Sequence, residues 1–209
     1  MRAIIVANGV LVPPLLLEEG DILIAADGGV RHCLESGLQP SVVIGDFDSL
    51  DNNDITTLEN RGTEIIRFPR RKDYTDLELA INHAAGLGVR EIVIVAALGA
   101  RWDQTIANIM IPTLLPSIRI SLLDGPQEIH YIYSGEKFEI TGQPGDTVSL
   151  IPLGGDVSGI TTEGLEYSLK DERLPFGSTR GVSNVLLGGR GVILIYSGIL
   201  LCTIIHQDN

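Results

Sequence analysis

From residue 1 to about residue 124, short apolar runs alternate with segments of helical period. The runs Ala3–Ala7, Ile22–Ala26, Val42–Gly45, Glu64–Phe68, Ile92–Ala96 and Ile120–Leu123 predict strands. Several are apolar without a break, as parallel strands covered on both faces are. Helices are expected between them. In the clearest, Leu77, Ala80, Ile81 and Ala84 share one face, and Gly86 and Gly88 end the run. A second helix is expected from Asp103 to about Leu115, with Ile106, Ile109 and Met110 inward, and another opens at Val30. Alternating elements of this kind predict a layered α/β domain with a mostly parallel sheet.

Beyond Asp124-Gly125-Pro126 the texture changes. Short alternating segments recur between turn residues: Glu128–Tyr133, Lys137–Ile140, Thr147–Ile151, Val157–Thr161, Val182–Leu187, Val192–Tyr196 and Leu200–Ile205. No convincing helix interrupts them, so the expectation is a small all-β sandwich or barrel, with the sandwich preferred. Leu187-Gly188-Gly189-Arg190-Gly191 and Ser197-Gly198 read as hairpin turns within it. The chain therefore divides into an α/β domain over 1–124 and a β domain over 125–209.

Composition narrows the function classes. Hydrophobic residues make up 44% of the chain and charged residues 20%, a globular balance that excludes a disordered chain. The net charge of −12 is spread over both halves: 10 Lys/Arg against 17 Asp/Glu before residue 125, and 5 against 10 after it. No basic stripe offers itself to nucleic acid. An acidic surface needs a metal ion when its ligand is a phosphate. Cys33 and Cys202 have no C-x-x-C spacing, and the four histidines show no ligand spacing. Met1–Leu17 reads as a strand and loop, because Asn8-Gly9 and Pro13-Pro14 interrupt it, and Val192–Ile205 is too short to span a bilayer. No membrane association and a cytoplasmic location are the expectations.

The chemistry gathers where strands end or helices begin. Asp46 and Asp48 stand two apart at a strand end; in an extended backbone both carboxylates reach one cation, and otherwise they form an Asp-rich turn. Ser49 adds a hydroxyl or caps the next segment. Asp73 stands where an N-cap would, with Asp76 at the third helical position, and Arg70-Arg71-Lys72 precede them. Cations beside carboxylates at a helix start suit phosphate with metal. Asp27-Gly28-Gly29 ends the second strand, either as a close approach for phosphate or ribose or as a tight turn. Gly99-Ala100-Arg101-Trp102-Asp103-Gln104 opens a helix; Arg101 could clamp a phosphate, and Asp103 caps the helix or joins the metal shell. Crowded carboxylates repel unless a cation relieves them, and magnesium with a polyphosphate is the economical explanation. There is no nucleophile–base arrangement, no G-x-S-x-G and no Walker A loop, so phosphoryl-type transfer fits best.

Taken in order, Asp27-Gly28-Gly29, Gly45-Asp46-Phe47-Asp48-Ser49, Lys72-Asp73-Tyr74-Thr75-Asp76-Leu77-Glu78, Gly99-Ala100-Arg101-Trp102-Asp103-Gln104 and the later Gly181-Val182-Ser183-Asn184 resemble the thiamine pyrophosphokinase family over nearly the whole chain. The resemblance implies transfer of a pyrophosphoryl group from ATP to the hydroxyethyl oxygen of thiamine, releasing AMP. It implies that Asp46, Asp48 and Asp73 hold Mg2+ on the triphosphate, with Asp76 in support. Asp27, Gly28, Gly29, Lys72, Thr75, Arg101 and Asp103 would surround the nucleotide. Ser183 and Asn184 would meet thiamine, with Gln104 also on the substrate side. It further implies a homodimer with active sites at the subunit interface. Ala100 stands where the family often has glycine, Gln104 where it often has histidine, and Val185 where an acidic residue often follows Ser-Asn. The alternatives are a pyrophosphokinase for another alcohol, such as a hydroxymethyl pterin, and a non-catalytic thiamine- or nucleotide-binding regulator.

Overall fold

A computed structural model describes residues 1–12, 14–15, 17–48, 52–99 and 101–207. Ser49 and Ala100 lie outside the described residues, so their expected roles do too. The chain forms two compact units, Met1–Gly125 and Pro126–Asn209.

The first unit runs β1 (Arg2–Val6), β2 (Ile22–Ala26), α1 (Gly29–Glu35), β3 (Val42–Gly45), α2 (Asn52–Asn60), β4 (Glu64–Arg67), α3 (Asp76–Gly86), β5 (Glu91–Val95), α4 (Trp102–Met110), a 3-10 turn (Ile111–Leu114) and β6 (Arg119–Asp124). Its strands lie in the order β6-β5-β1-β2-β3-β4, every neighbouring pair parallel. The chain builds outward from β1 in one direction and then, from β5, in the other. That reversal makes the β1/β5 junction the topological switch point, where such sheets bind ligands beyond the carboxyl ends of their strands.

Alternate strand residues serve opposite faces. Ile4, Val6, Leu23, Ala25, Val43, Val93 and Val95 join Val30 and Cys33 of α1 and Ile55 and Leu58 of α2 in one core cluster. The other face, with Ile5, Ile24 and Ile44 fully buried, belongs to α3, which packs on β1, β2 and β3. Helix α3 forms as its sequence dictates. Thr75, in extended conformation, accepts a hydrogen bond from the Glu78 amide at 3.2 Å, and Gly88 follows the helix at φ 75°. Burial of Leu77 and Ile81 contributes about 1.5–3 kcal/mol each. The N-cap is thus Thr75, not Asp73, and Asp76 is the first helical residue rather than the third.

Helix α4 departs from expectation. It stops at Met110 because Pro112 follows, and its buried residue is Asn108, whereas Ile106 and Met110 are each 51% exposed.

The second unit comprises β7 (Gln127–Tyr133), β8 (Lys137–Thr141), β9 (Thr147–Pro152), β10 (Val157–Glu163), β11 (Glu172–Leu174), β12 (Asn184–Val185), β13 (Arg190–Leu194) and β14 (Ile199–Ile205). Strands β12-β9-β14-β7 form one antiparallel set and β11-β10-β13-β8 another. A single core cluster draws on both, including Ile132, Leu150 and Leu200 from the first and Ile140, Ile160 and Ile193 from the second. Neither expected hairpin exists. Gly188-Gly189 joins β12 to β13 and Ser197-Gly198 joins β13 to β14, and each connection passes from one set to the other. Strand β12 (expected over Val182–Leu187) starts later than predicted because Ser183 has φ 62°, which no regular strand accommodates, and it ends at Val185, after which Leu186 bridges to Leu165 instead.

A polar clasp fastens the end of this unit. His206 Nδ1 lies 2.8 Å from Asp146 Oδ2 and its Nε2 lies 3.1 Å from Glu128 Oε1; the other Glu128 oxygen lies 2.6 Å from His130 Nε2. Burial pulls the His206 pKa down, but the bonds to Asp146 and Glu128 outweigh it and the net shift is upward. The His130 hydrogen bond holds Glu128 below its usual range against desolvation. At Asp146, burial raises the pKa, but the amides of Gln143 and Gln207 and the imidazole of His206 win. A raised imidazole pKa gives stability that is complete below the unfolded value of about 6.5 and is lost as pH rises through the folded one. The two carboxylates act oppositely, losing their contribution as pH falls through their lowered values. His206→Gln is therefore expected to cost about 1 kcal/mol at pH 6, after allowance for solvent screening, and less at pH 9. Melting curves at both pH values check this; an equal loss at both would refute it.

Candidate active site

The cavity at the switch point has a volume of about 420 Å³. Its walls are Ala7, Asn8 and Gly9 after β1, Ala26 and Asp27 at the end of β2, Ala97, Leu98 and Gly99 after β5, Thr75, Asp76 and Leu77 at the start of α3, and Arg101, Gln104, Thr105 and Asn108 at the start of α4. Two helix amino ends therefore border it, and the positive ends of their dipoles favour negative charge.

Asp27 is the centre of the electrostatics. It sits in left-handed conformation at φ 45°, its amide bonded to Ile44 O at 2.8 Å, and its Oδ1 is buried without a hydrogen-bond partner. Desolvation raises its pKa; the Gly28 amide opposes that, but the charges of Asp76, Asp46 and Asp48 add to the rise and the net shift is upward. Gly45 makes this neighbourhood possible: a Cβ there would stand 3.0 Å from the Asp27 Cα.

The Asp46-Phe47-Asp48 segment is a turn rather than extended chain. Phe47, at φ 59°, is buried in the core cluster with Arg67 5.2 Å from its ring centroid, which leaves Asp46 half-buried and Asp48 exposed. Asp46 Oδ1 accepts from the Asp48 amide at 3.1 Å. The Asp48 carboxylate lies 3.5 Å from Arg70 Nε, and Asp76 holds Lys72 Nζ at 2.7 Å. The structure thus brings Asp27, Asp46, Asp48 and Asp76 into one electrostatic neighbourhood flanked by Lys72 and Arg70. Asp73 is exposed in the segment before α3, and its charge is not among those acting most strongly on Asp27.

Among the described residues, no three Asp, Glu, His or Cys side chains are gathered closely enough to cage a metal ion. Magnesium does not require such a cage, because it binds through one or two carboxylates and completes its shell with water and phosphate oxygens. Hard oxygen donors, one of them an orphaned buried Asp27 oxygen, fit that ion.

The remaining predicted residues have more specific placements. Gly28 and Gly29 do not line the cavity; a Cβ on Gly28 would meet the Asn8 side chain at 2.3 Å and one on Gly29 would meet Val6 O at 2.0 Å. Close packing of α1 on the end of β1 demands them. Arg101 lines the cavity and forms a fork with Asp103, at 3.1 and 2.5 Å; Asp103 is exposed and does not cap α4 through its side chain. Gln104 is exposed on the cavity wall. In the second unit, Ser183 is exposed and its amide donates to Ser149 Oγ at 3.0 Å. Asn184 is buried, its amide group clipped to both polar groups of the Tyr167 backbone at 3.0 and 2.8 Å. Asn8, Thr105 and Asn108 escaped the sequence reading. The signals available were Asn8-Gly9 at the end of the first strand and polar residues three apart in the first turns of α4.

Known proteins share this architecture. Residues 14–121 match the family model described as thiamin pyrophosphokinase, catalytic domain, and residues 130–200 match the thiamin pyrophosphokinase, vitamin B1 binding domain. The chain is 30% identical over 203 residues to the thiamine pyrophosphokinase of Bacillus subtilis, covering 94% of this chain and 95% of that one. Thiamine pyrophosphokinase 1 of Arabidopsis thaliana is 29% identical over 200 residues, covering 83% of this chain and 74% of the relative. The crystal structure of the Bacillus subtilis enzyme superposes with a TM-score of 0.89 at 28% identity over the full length of both chains.

Proposed function

We infer the reaction from one premise: the chain belongs to the thiamin pyrophosphokinase family. It makes thiamine diphosphate from thiamine and ATP. The pyrophosphoryl group passes to the hydroxyethyl oxygen of thiamine and AMP departs. The observation that best supports a catalytic site in the first unit is the cluster of Asp27, Asp46, Asp48 and Asp76, edged by Lys72 and Arg70, beside the switch-point cavity.

In our reading, Asp46 and Asp48, with Asp73, would hold Mg2+, which when bound supplies neutralisation of the polyphosphate charge. Lys72 and Arg101 carry positive charge to the phosphates, with Lys72 oriented by Asp76 and Arg101 by Asp103. Thr75 sets the start of α3 against the nucleotide. Ser183 offers an exposed hydroxyl to thiamine, while Asn184 fixes the strand that presents it. A cytoplasmic setting suits the two buried, unpaired thiols, Cys33 and Cys202. No helix among the described residues is long and apolar enough to cross a membrane.

The test is to incubate the protein with ATP, magnesium and thiamine and to resolve the products by mass. One-step gain of two phosphate units, with AMP, is expected. A single phosphate gain with ADP would refute the pyrophosphoryl transfer.

We also propose that two copies pair. Support comes from Trp102, 82% exposed, and from Ile106, Met110 and Leu114, a stripe spaced by four along α4 and the following turn. The double substitution Ile106→Glu, Met110→Glu is expected to convert a dimer to a monomer in light scattering. A wild-type monomer at micromolar concentration would end this reading.

A further inference from the structure

The turn after β5 forms one wall of the cavity, and four successive carbonyls in it are held by donors. Ala96 O accepts from the Gly9 amide at 2.7 Å and Leu98 O from the Val10 amide at 3.0 Å. Between these, Ala97 O accepts from Asn108 Nδ2 at 2.7 Å, and Gly99 O accepts from Thr105 Oγ1 at 3.0 Å. Backbone and side chain thus alternate as donors. The backbone donors come from the loop after β1, and the side-chain donors come from α4.

This turn needs external support. Ala96 has φ 53° and Gly99 has φ 110°, so left-handed conformations stand at both ends, and only one of them falls on glycine. The loops after β1 and β5 approach as closely as backbone allows: a Cβ on Gly9 would lie 2.5 Å from both Ala96 O and Leu98 O. Asp27 and Asp76 already line the cavity. Further carbonyl oxygens left unpaired at its wall would add negative dipole ends where a polyanion must enter. Bonding each of them to a donor removes that penalty. The two side-chain bonds also tie the turn to α4, the helix that carries Gln104.

We propose that Thr105 and Asn108 are positioning residues for ATP, holding the 96–99 turn in the shape that receives the nucleotide and aims Arg101. The proposal rests on reading the cavity as the nucleotide site. Asn108 is buried, so its replacement risks the fold; Thr105 is the cleaner probe. Thr105→Val keeps the volume and the β-branch and removes only the donor. Steady-state kinetics should show KM for ATP raised about tenfold, the worth of roughly one hydrogen bond, with KM for thiamine changed less than twofold. Thr105→Ser should restore the wild-type value. Asn108→Asp, which replaces the donor with an acceptor and adds charge, should raise KM for ATP further in enzyme that retains its melting temperature.

Unchanged KM values in Thr105→Val would overturn the positioning role and leave the nucleotide reading standing. A raised KM for thiamine with unchanged KM for ATP would overturn the nucleotide reading itself, since the turn would then serve the other substrate.

Discussion

Asp46→Asn is expected to lower turnover by roughly 10²–10³-fold while leaving the melting temperature close to that of the wild type. The second half of this expectation follows from local geometry. The carboxylate's hydrogen-bond role in the fold is to accept from the Asp48 amide at 3.1 Å, and an asparagine Oδ1 can accept the same bond. Asp46 is only half-buried, and Phe47, which anchors the turn in the core, is untouched. What the variant lacks is the negative charge. A neutral amide is a much weaker partner for a divalent cation than a carboxylate, so the loss should fall on the chemistry. Turnover measured as AMP release at saturating thiamine and ATP, with the magnesium concentration varied, is the check. Partial recovery at high magnesium is the expected pattern. Wild-type-like turnover across the series would remove Asp46 from the metal-holding role.

Much of the first unit is readable from sequence because a parallel sheet covered on both faces leaves an unbroken apolar record. The strand boundaries Ile22–Ala26 and Val42–Gly45 coincide with the predicted runs for that reason. Helix α3 is equally legible, since Leu77, Ala80, Ile81 and Ala84 all face inward. Helix α4 is not, because hydrophobic spacing does not say what covers a stripe. Ile106 and Met110 carry the period of a core-facing helix yet are exposed in the single chain. In the second unit most strands are legible, though β11 is missed and β12 is overlong in the expectation; the strands' partners are not. Turn glycines look alike whether the chain doubles back beside itself or passes to another sheet, as it does at Gly188-Gly189.

The site divides along similar lines. Acidic residues at strand ends point to a cavity at those ends, and the proximity of Asp27 to Asp46 follows from adjacent, parallel β2 and β3. Sequence could not give the left-handed turn at Phe47, which replaces the expected extended arrangement of Asp46 and Asp48. Nor could it separate glycines that admit a ligand from glycines that admit a neighbouring strand. Gly28 and Gly29 are of the second kind, because the side chain of Asn8 and the carbonyl of Val6 occupy the space. Asn108 is a polar residue at a core-facing helical position, a signal that becomes intelligible only once Ala97 O is seen opposite it.

Asp27→Asn should separate stability from function in opposite directions. At the Asp27 carboxylate, desolvation and three like charges outweigh the Gly28 amide's hydrogen bond and raise the pKa, and one carboxylate oxygen has no partner. A carboxylate whose folded pKa exceeds its unfolded value binds its proton more tightly in the native state. The charged form therefore costs stability, fully so above the folded pKa, and the cost disappears as pH falls below the unfolded value of about 3.9. Neutralising the group relieves that cost at pH 7 without changing its size. After allowance for solvent screening, a gain of about 1 kcal/mol, or roughly 2–4 °C in Tm, is expected for the ligand-free protein. The gain should shrink progressively in melts taken at lower pH. Turnover should fall by about 10²-fold or more, because the repulsion that destabilises the free protein is what a bound cation relieves. Added magnesium and ATP should accordingly raise the wild-type Tm more than that of the variant. A variant that melts lower than the wild type at pH 7 would show that the carboxylate is satisfied within the fold, and the electrostatic account of this site would fail with it.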